Sequence, residues 1–179
     1  MREVEVKIVE IDRAEVEARL GSLKASKLFE GREESVFFDF PTNSISGAKN
    51  LLRLRKEGKK TVLTFKKFVE NRAAKVRDEY EVSVSAFEPM VRILESLGLV
   101  AFQRMVKDRT SYSLKSGVRV DLDKYTGEFS YIPDLMEIEA ADDATIKSSI
   151  KLLGFKPEDA KSWTTFDLVN HFSGKKAKA

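Results

Sequence analysis

Charged and apolar residues alternate along almost every extended stretch of this chain. Glu3-Val4-Glu5-Val6-Lys7 sets the pattern. A strand has a side-chain period of two, so Glu3, Glu5 and Lys7 share one face while Val4, Val6 and Ile8 share the other. Arg53 and Arg55 alternate with Leu52 and Leu54, and Lys75, Arg77, Glu79 and Glu81 alternate with Val76, Tyr80 and Val82. Lys107 and Arg109 stand two apart, as do Asp121 and Asp123, and Glu137 and Glu139.

The same pattern predicts the elements. Residues 2–10 read as a strand. Asp12 then caps a helix with Glu15 in capping-box position and an apolar stripe of Val16, Leu20 and Leu23. Residues 27–40 are extended, and 41–49 form a loop rich in Pro, Thr, Asn, Ser and Gly. Strands over 51–56, 60–69 and 74–85 follow, joined by turns at 57–59 and 70–72. A helix over 87–97 ends at Gly98. Strands over 100–115 and 118–125 flank a turn at Ser116-Gly117, residues 127–133 are irregular, and 134–141 is the last strand. Asp142 caps a helix through Leu153, and 157–163 and 165–172 are short helical pieces. Consecutive strands favour antiparallel pairing, so the fold is expected to be α+β, with about eight strands able to close into a barrel and helices packed outside it. The expected organisation is one domain over 1–172 and a basic, frayed tail over 173–179.

Composition narrows the chemistry. The net charge of +3 is mild and the signs are mixed strand by strand, which argues against a dedicated nucleic-acid binder. There is no cysteine and a single histidine, His171, so thiolate chemistry and poly-histidine metal sites are excluded. Any metal must be held by carboxylate oxygens, which favours Mg²⁺ or Mn²⁺. No apolar run approaches the roughly 20 residues of a membrane span, and the N-terminus enters a strand without a signal-peptide pattern. The expectation is a cytoplasmic protein, a monomer or homodimer, with neither membrane nor nucleic-acid partners.

The alternation admits two readings. In the default for an antiparallel sheet, the charges face water and the apolar side chains form the core. In the other, the apolar faces pack against covering helices and the charges line a shared interior. Several strands carry one sign of charge, the interspersed helices have apolar stripes that need a partner, and arginine dominates 51–56, where its planar fork suits phosphate. These favour the interior reading, with a polyanion and divalent metal as its contents.

Glu3-x-Glu5-x-Lys7, Leu52-Arg53-x-Arg55, Thr64-x-Lys66, Arg77-x-Glu79-x-Glu81, Lys107-x-Arg109, Asp121-x-Asp123 and Glu137-Ile138-Glu139 follow one another in an order that resembles the CYTH superfamily, the triphosphate tunnel metalloenzymes. The resemblance spans about residues 2–170 and is greatest to small prokaryotic proteins called class IV adenylyl cyclase-like. It implies an eight-stranded antiparallel barrel and a triphosphate substrate with bound Mg²⁺ or Mn²⁺. It implies metal-binding roles for Glu3, Glu5, Asp123, Glu137 and Glu139, and phosphate-gripping roles for Lys7, Arg53, Arg55, Lys66, Arg77, Lys107 and Arg109. Glu79 and Glu81 hold a second metal or fix basic side chains, and Asp121 and Asp123 share that ambiguity. With Lys7, Glu79 and Glu81, Lys161 joins the candidate catalytic residues, because it matches a basic position before a Ser-aromatic pair. Trp163 stands there in place of the usual Tyr. His171 reads as a packing or surface residue.

Three functions are compatible with these residues. The resemblance puts first a cyclase converting ATP to cyclic AMP and pyrophosphate. The alternative is a triphosphatase acting on inorganic, thiamine or nucleoside triphosphate, and the third is a non-enzymatic polyphosphate- or nucleotide-binding module. The carboxylate set counts against the third, since a pure polyanion binder gains nothing from it.

Overall fold

The computed structural model describes residues 4–69 and 76–176. Glu3, the turn expected at 70–72 and the side chain of Arg77 lie outside the described residues. The elements run β1 (Val4–Val9), α1 (Arg13–Ser22), β2 (Ser26–Asp39), α2 (Ser44–Gly47), β3 (Leu51–Glu57), β4 (Lys60–Val69), β5 (Val76–Val84) and α3 (Phe87–Ser96). They continue with β6 (Val100–Ser113), β7 (Arg119–Tyr125), β8 (Leu135–Ala140), α4 (Asp143–Leu152) and α5 (Thr165–Lys176). The fold is α+β, and its strands form an eight-stranded antiparallel sheet in the order β1-β8-β7-β6-β2-β3-β4-β5. The chain divides into two compact units, residues 1–31 with 107–179 and residues 32–106.

In the first unit, Asp12 caps α1 as its spacing predicts, accepting the backbone N–H of Glu15 at 3.0 Å. Asp142 caps α4 in the same way, through the N–H of Thr145 at 2.8 Å. These caps fix where each helix begins, so Val16 and Leu20 of α1 and Ile146 and Ile150 of α4 face one way. They bury against Ile8 of β1, Val120 and Leu122 of β7, and Met136 and Ile138 of β8. This is the apolar half of the alternation, and it is sealed by helices rather than water.

The second unit repeats the scheme. Phe87, Val91 and Leu94, at helical spacing on α3, pack on Val36 and Phe38 of β2 and Leu54 of β3. Leu54 is fully buried. Its neighbours Arg53 and Arg55 therefore point to the opposite face.

Two local features differ from expectation. The predicted loop over 41–49 contains α2, a four-residue helix without enough length to show a period. Asp39 organises it, with one carboxylate oxygen accepting the N–H groups of Phe40 at 2.8 Å and Ile45 at 2.9 Å and the other accepting that of Ser46 at 2.9 Å. Those bonds outweigh burial and hold the Asp39 carboxyl below its usual range. At the other end, α5 continues through Lys176, so residues 173–176 are helical where a frayed tail was expected. Leu168 and Phe172 bury and anchor that helix. Among the described residues no helix is long and apolar enough to cross a membrane.

Candidate phosphate and metal site

Strand register builds the site in the first unit row by row. Glu5 lies opposite Glu139 and Lys7 opposite Glu137 across β1 and β8. Across β8 and β7, Glu139 faces Arg119, Glu137 faces Asp121 and Leu135 faces Asp123. Across β7 and β6, Asp121 faces Ser111, Asp123 faces Arg109 and Tyr125 faces Lys107. Side chains of one parity on four adjacent strands thus make one polar face. One end of that face is open, with Glu5 exposed. The other end is closed, with Asp123 and Arg109 buried and Tyr125 beneath Lys107.

The charges on this face are paired. Arg109 is the hub: Nε and Nη2 donate to the two oxygens of Asp123 at 2.6 and 2.5 Å, and Nη2 also donates to Glu137 at 2.6 Å. Its Nη1 lies 2.7 Å from Asp121. Lys107 donates to Asp123 at 2.6 Å and sits 5.6 Å from the centre of the Tyr125 ring. The Lys7 ammonium donates to Glu5 and stands 3.1 Å from Glu137. Arg119 donates to Asp121 at 2.9 Å and to Ser111 at 3.1 Å.

Burial and charge compete on this face, and charge wins at Glu137 and Lys7. Burial would raise the Glu137 carboxyl, but the cations of Lys107, Lys7 and Arg109 hold it well below the usual carboxylate range. Burial would lower the Lys7 ammonium, but the charges of Glu137 and Glu5 and their hydrogen bonds hold it above the usual lysine range. Burial raises the Tyr125 hydroxyl, against a smaller opposing effect of Lys107. A depressed carboxyl stabilises the fold above its unfolded pKa, about 4.3, and a raised ammonium does so below about 10.4. Both contributions are present between about pH 5 and 9. The Glu137 contribution is lost as pH falls through its folded value. Urea midpoints at pH 7 and pH 3 should drop more steeply for the wild type than for Glu137→Gln.

The second unit carries its own polar face. Across β2, β3, β4 and β5, Ser35 faces Arg55, Phe37 faces Arg53, Arg53 faces Thr64, Thr64 faces Glu81 and Lys66 faces Glu79. Lys66 donates to Glu79 at 2.6 Å and Thr64 to Glu81 at 2.8 Å. Glu79 and Glu81 thus fix polar neighbours on β4. Arg53 and Arg55 are half-buried, and Arg55 is 4.0 Å from the buried Glu33.

Lys161 reaches the site by its backbone. Its N–H and C=O exchange two bonds of 2.8 Å with Lys7 of β1, while its ammonium donates to the Glu158 carbonyl at 2.9 Å. His171 packs its ring 4.7 Å from that of Trp163 and 4.8 Å from that of Phe172. Glu33, Ser111, Arg119 and Tyr125 went unnoticed in the sequence. The last three were legible: Ser111 continues the period of Lys107 and Arg109, and Arg119 and Tyr125 bracket Asp121 and Asp123 at the same spacing. Glu33 was hidden in the acidic Glu33-Glu34 step, where nothing marks the buried member.

Among the described residues, no three carboxylates converge into a cage that would hold a metal by itself. The donor set still fits Mg²⁺ or Mn²⁺. Such ions use one or two carboxylates and complete their shell with water and substrate phosphate. Glu5 and Glu137, which meet at the Lys7 ammonium, are such a pair.

The family model for the CYTH domain matches residues 1–160. The chain belongs to the CYTH family. A conserved hypothetical protein from Pyrococcus furiosus is 27% identical, with a TM-score of 0.74, covering 93% of this chain and 99% of its own. A candidate adenylate cyclase from Vibrio parahaemolyticus shares the fold at 14% identity and a TM-score of 0.75, covering 94% of this chain and 97% of its own. So does a candidate adenylyl cyclase from Hippeastrum described as having a dominant triphosphatase activity, at 15% identity and a TM-score of 0.68, covering 95% of this chain and 96% of its own. No curated protein matches the chain.

Proposed function

We propose that the chain is a metal-dependent enzyme acting on a triphosphate, with conversion of ATP to cyclic AMP as the first reading and triphosphate hydrolysis as the second. The observation that carries the enzyme reading is the buried network of Lys7, Lys107 and Arg109 with Asp121, Asp123 and Glu137. Burying ions is costly, and apolar residues of similar volume would stabilise the fold as well or better. A network kept at that cost fits a site that must stabilise transferred charge.

In this reading Lys7, Lys107 and Arg109 bind phosphoryl oxygens, and Arg53, Arg55, Lys66 and Arg77 contribute further phosphate contacts. Glu3, Glu5, Glu137 and Glu139 hold the metal. Asp123 keeps the Lys107 and Arg109 side chains aimed, since both of its oxygens already accept from them. The bound Mg²⁺ or Mn²⁺ supplies charge neutralisation at the phosphoryl oxygens. The chain's own part is alignment and preorganised positive charge, which is most of what phosphoryl transfer needs. In a cyclase the ribose 3′-hydroxyl attacks the α-phosphorus and pyrophosphate leaves; in a hydrolase water attacks a terminal phosphorus. Both reactions draw on the same inventory, the charged residues of the first unit's polar face, which suit a phosphate chain or metal.

Product analysis with ATP, and separately with inorganic triphosphate, in Mg²⁺ or Mn²⁺ tests both. Cyclic AMP with pyrophosphate supports the cyclase, and orthophosphate without cyclic product supports the hydrolase. No turnover of either substrate would sink the enzyme reading. Arg55→Ala should weaken triphosphate binding by roughly 10-fold or more, the worth of a charge-assisted hydrogen bond, and monophosphate binding much less. Equal losses in a titration of both would argue against a role in gripping the phosphate chain.

A further inference from the structure

Lys7 has an unusual position for a residue meant only to touch phosphate. It is 4% exposed, and its ammonium lies between two carboxylates of the same polar face, Glu5 and Glu137. Those two oxygens are where a divalent cation would sit. Its backbone is clamped on both sides, by β8 through the pairing with Glu137 and by Lys161 through two hydrogen bonds. The strand is therefore held while the long side chain retains its rotatable bonds. Glu137 also has a second cation, Arg109, so it does not depend on Lys7 alone for charge.

These features define a conflict. A divalent ion entering at Glu5 and Glu137 meets an ammonium already bonded there. If the ammonium stays, two cations share one pair of carboxylates. If it leaves without a new partner, a buried charge is stranded, at large cost. A phosphate oxygen arriving with the metal removes the conflict, because the ammonium gains an anion as it gives up two.

We propose that Lys7 is an exchange counter-ion: it holds Glu5 and Glu137 until a metal–polyphosphate complex arrives, then passes the carboxylates to the metal and takes phosphate itself. The inference rests on the metal–triphosphate reading above and adds a selection rule to it. The site accepts metal and polyphosphate together and disfavours either alone. No covalent bond changes, and each charge keeps an opposite partner before and after.

The test is Mn²⁺ binding by the whole chain without triphosphate, measured calorimetrically for wild type, Lys7→Met and Lys147→Met. Both variants remove one lysine charge from the first unit, but Lys7 bridges Glu5 and Glu137, whereas Lys147 is exposed on α4. The expected result is Mn²⁺ binding about tenfold tighter in Lys7→Met, the equivalent of one charge-assisted bond released, and changed less than about threefold in Lys147→Met. Metal-free triphosphate, titrated in a chelator, should bind more weakly to Lys7→Met than to wild type. Equal Mn²⁺ affinities for wild type and Lys7→Met, or equal gains in both variants, would overturn the exchange while leaving the metal site standing. No Mn²⁺ binding by any of the three, with or without triphosphate, would overturn the metal reading and the exchange together. If Lys7→Met does not fold, the ¹⁵N-detected ammonium signal of Lys7 in the wild type decides. It should shift when Mg²⁺ and triphosphate are added together, and far less with Mg²⁺ alone. A signal indifferent to both would refute the exchange.

Discussion

Arg109→Ala is expected to cost about 3–5 kcal/mol of stability, the largest effect of any single polar substitution in the first unit. The side chain is 4% exposed and contacts three carboxylates, Asp121, Asp123 and Glu137. Truncation leaves those acids buried, with Lys107, Lys7 and the half-exposed Arg119 left to answer them. The loss is therefore an uncompensated burial of charge, not merely a missing contact. For a chain of this length it lowers the melting temperature by roughly 10 °C. Arg109→Lys keeps the charge but not the two-pronged bond to Asp123, and should cost less than half as much. Adding Asp123→Asn to Arg109→Ala removes one of the stranded acids, so the double variant should be more stable than the sum of the single losses predicts. Urea denaturation of the wild type, Arg109→Ala, Arg109→Lys, Asp123→Asn and the double variant measures this. A loss below about 1 kcal/mol for Arg109→Ala would mean that water reaches the network and that its residues are not buried ions.

The strand alternation was readable because the two halves of the pattern have different requirements. Ile8, Val120, Leu122, Met136 and Ile138 needed a helix to cover them, and α1 and α4 carried matching stripes. That settled which face was apolar, and the period of two then assigned Lys7, Lys107, Arg109, Asp121, Asp123 and Glu137 to the other. What the period does not encode is which charge meets which. Asp123 reads as a metal ligand by its place in a motif, yet register sets it opposite Arg109, and Lys107 reaches it from the next row. Lys161 likewise reads as a reacting side chain, while its backbone is what meets Lys7. Such pairings depend on strand register, which is set by turn lengths and core packing far from the site. The helix α2 was missed for another reason. One turn has no period, and the signal that makes it, Asp39 collecting three N–H groups, is spread over residues 39–46.

Glu5→Gln and Glu137→Gln should each reduce metal-dependent turnover by at least about a hundredfold, yet differ in what they do to the fold. The two carboxylates share one ammonium, but Glu5 has a side chain 46% exposed and Glu137 one of 13%. The amide oxygen that replaces the exposed Glu5 carboxylate can still accept from the Lys7 ammonium, and Glu137 still faces it. Glu5→Gln should therefore unfold at nearly the wild-type urea concentration. Glu137 accepts from both Lys7 and Arg109, so its amide leaves two buried cations with one shared acid fewer and should lower the midpoint clearly. A steady-state assay with the substrate that product analysis identifies, run across a Mn²⁺ titration beside the urea curves, separates the two effects. Turnover lost in Glu5→Gln with an intact urea transition assigns the carboxylate to metal or substrate. Unchanged turnover in that variant would remove Glu5 from the site and, with it, the pairing on which the metal assignment stands.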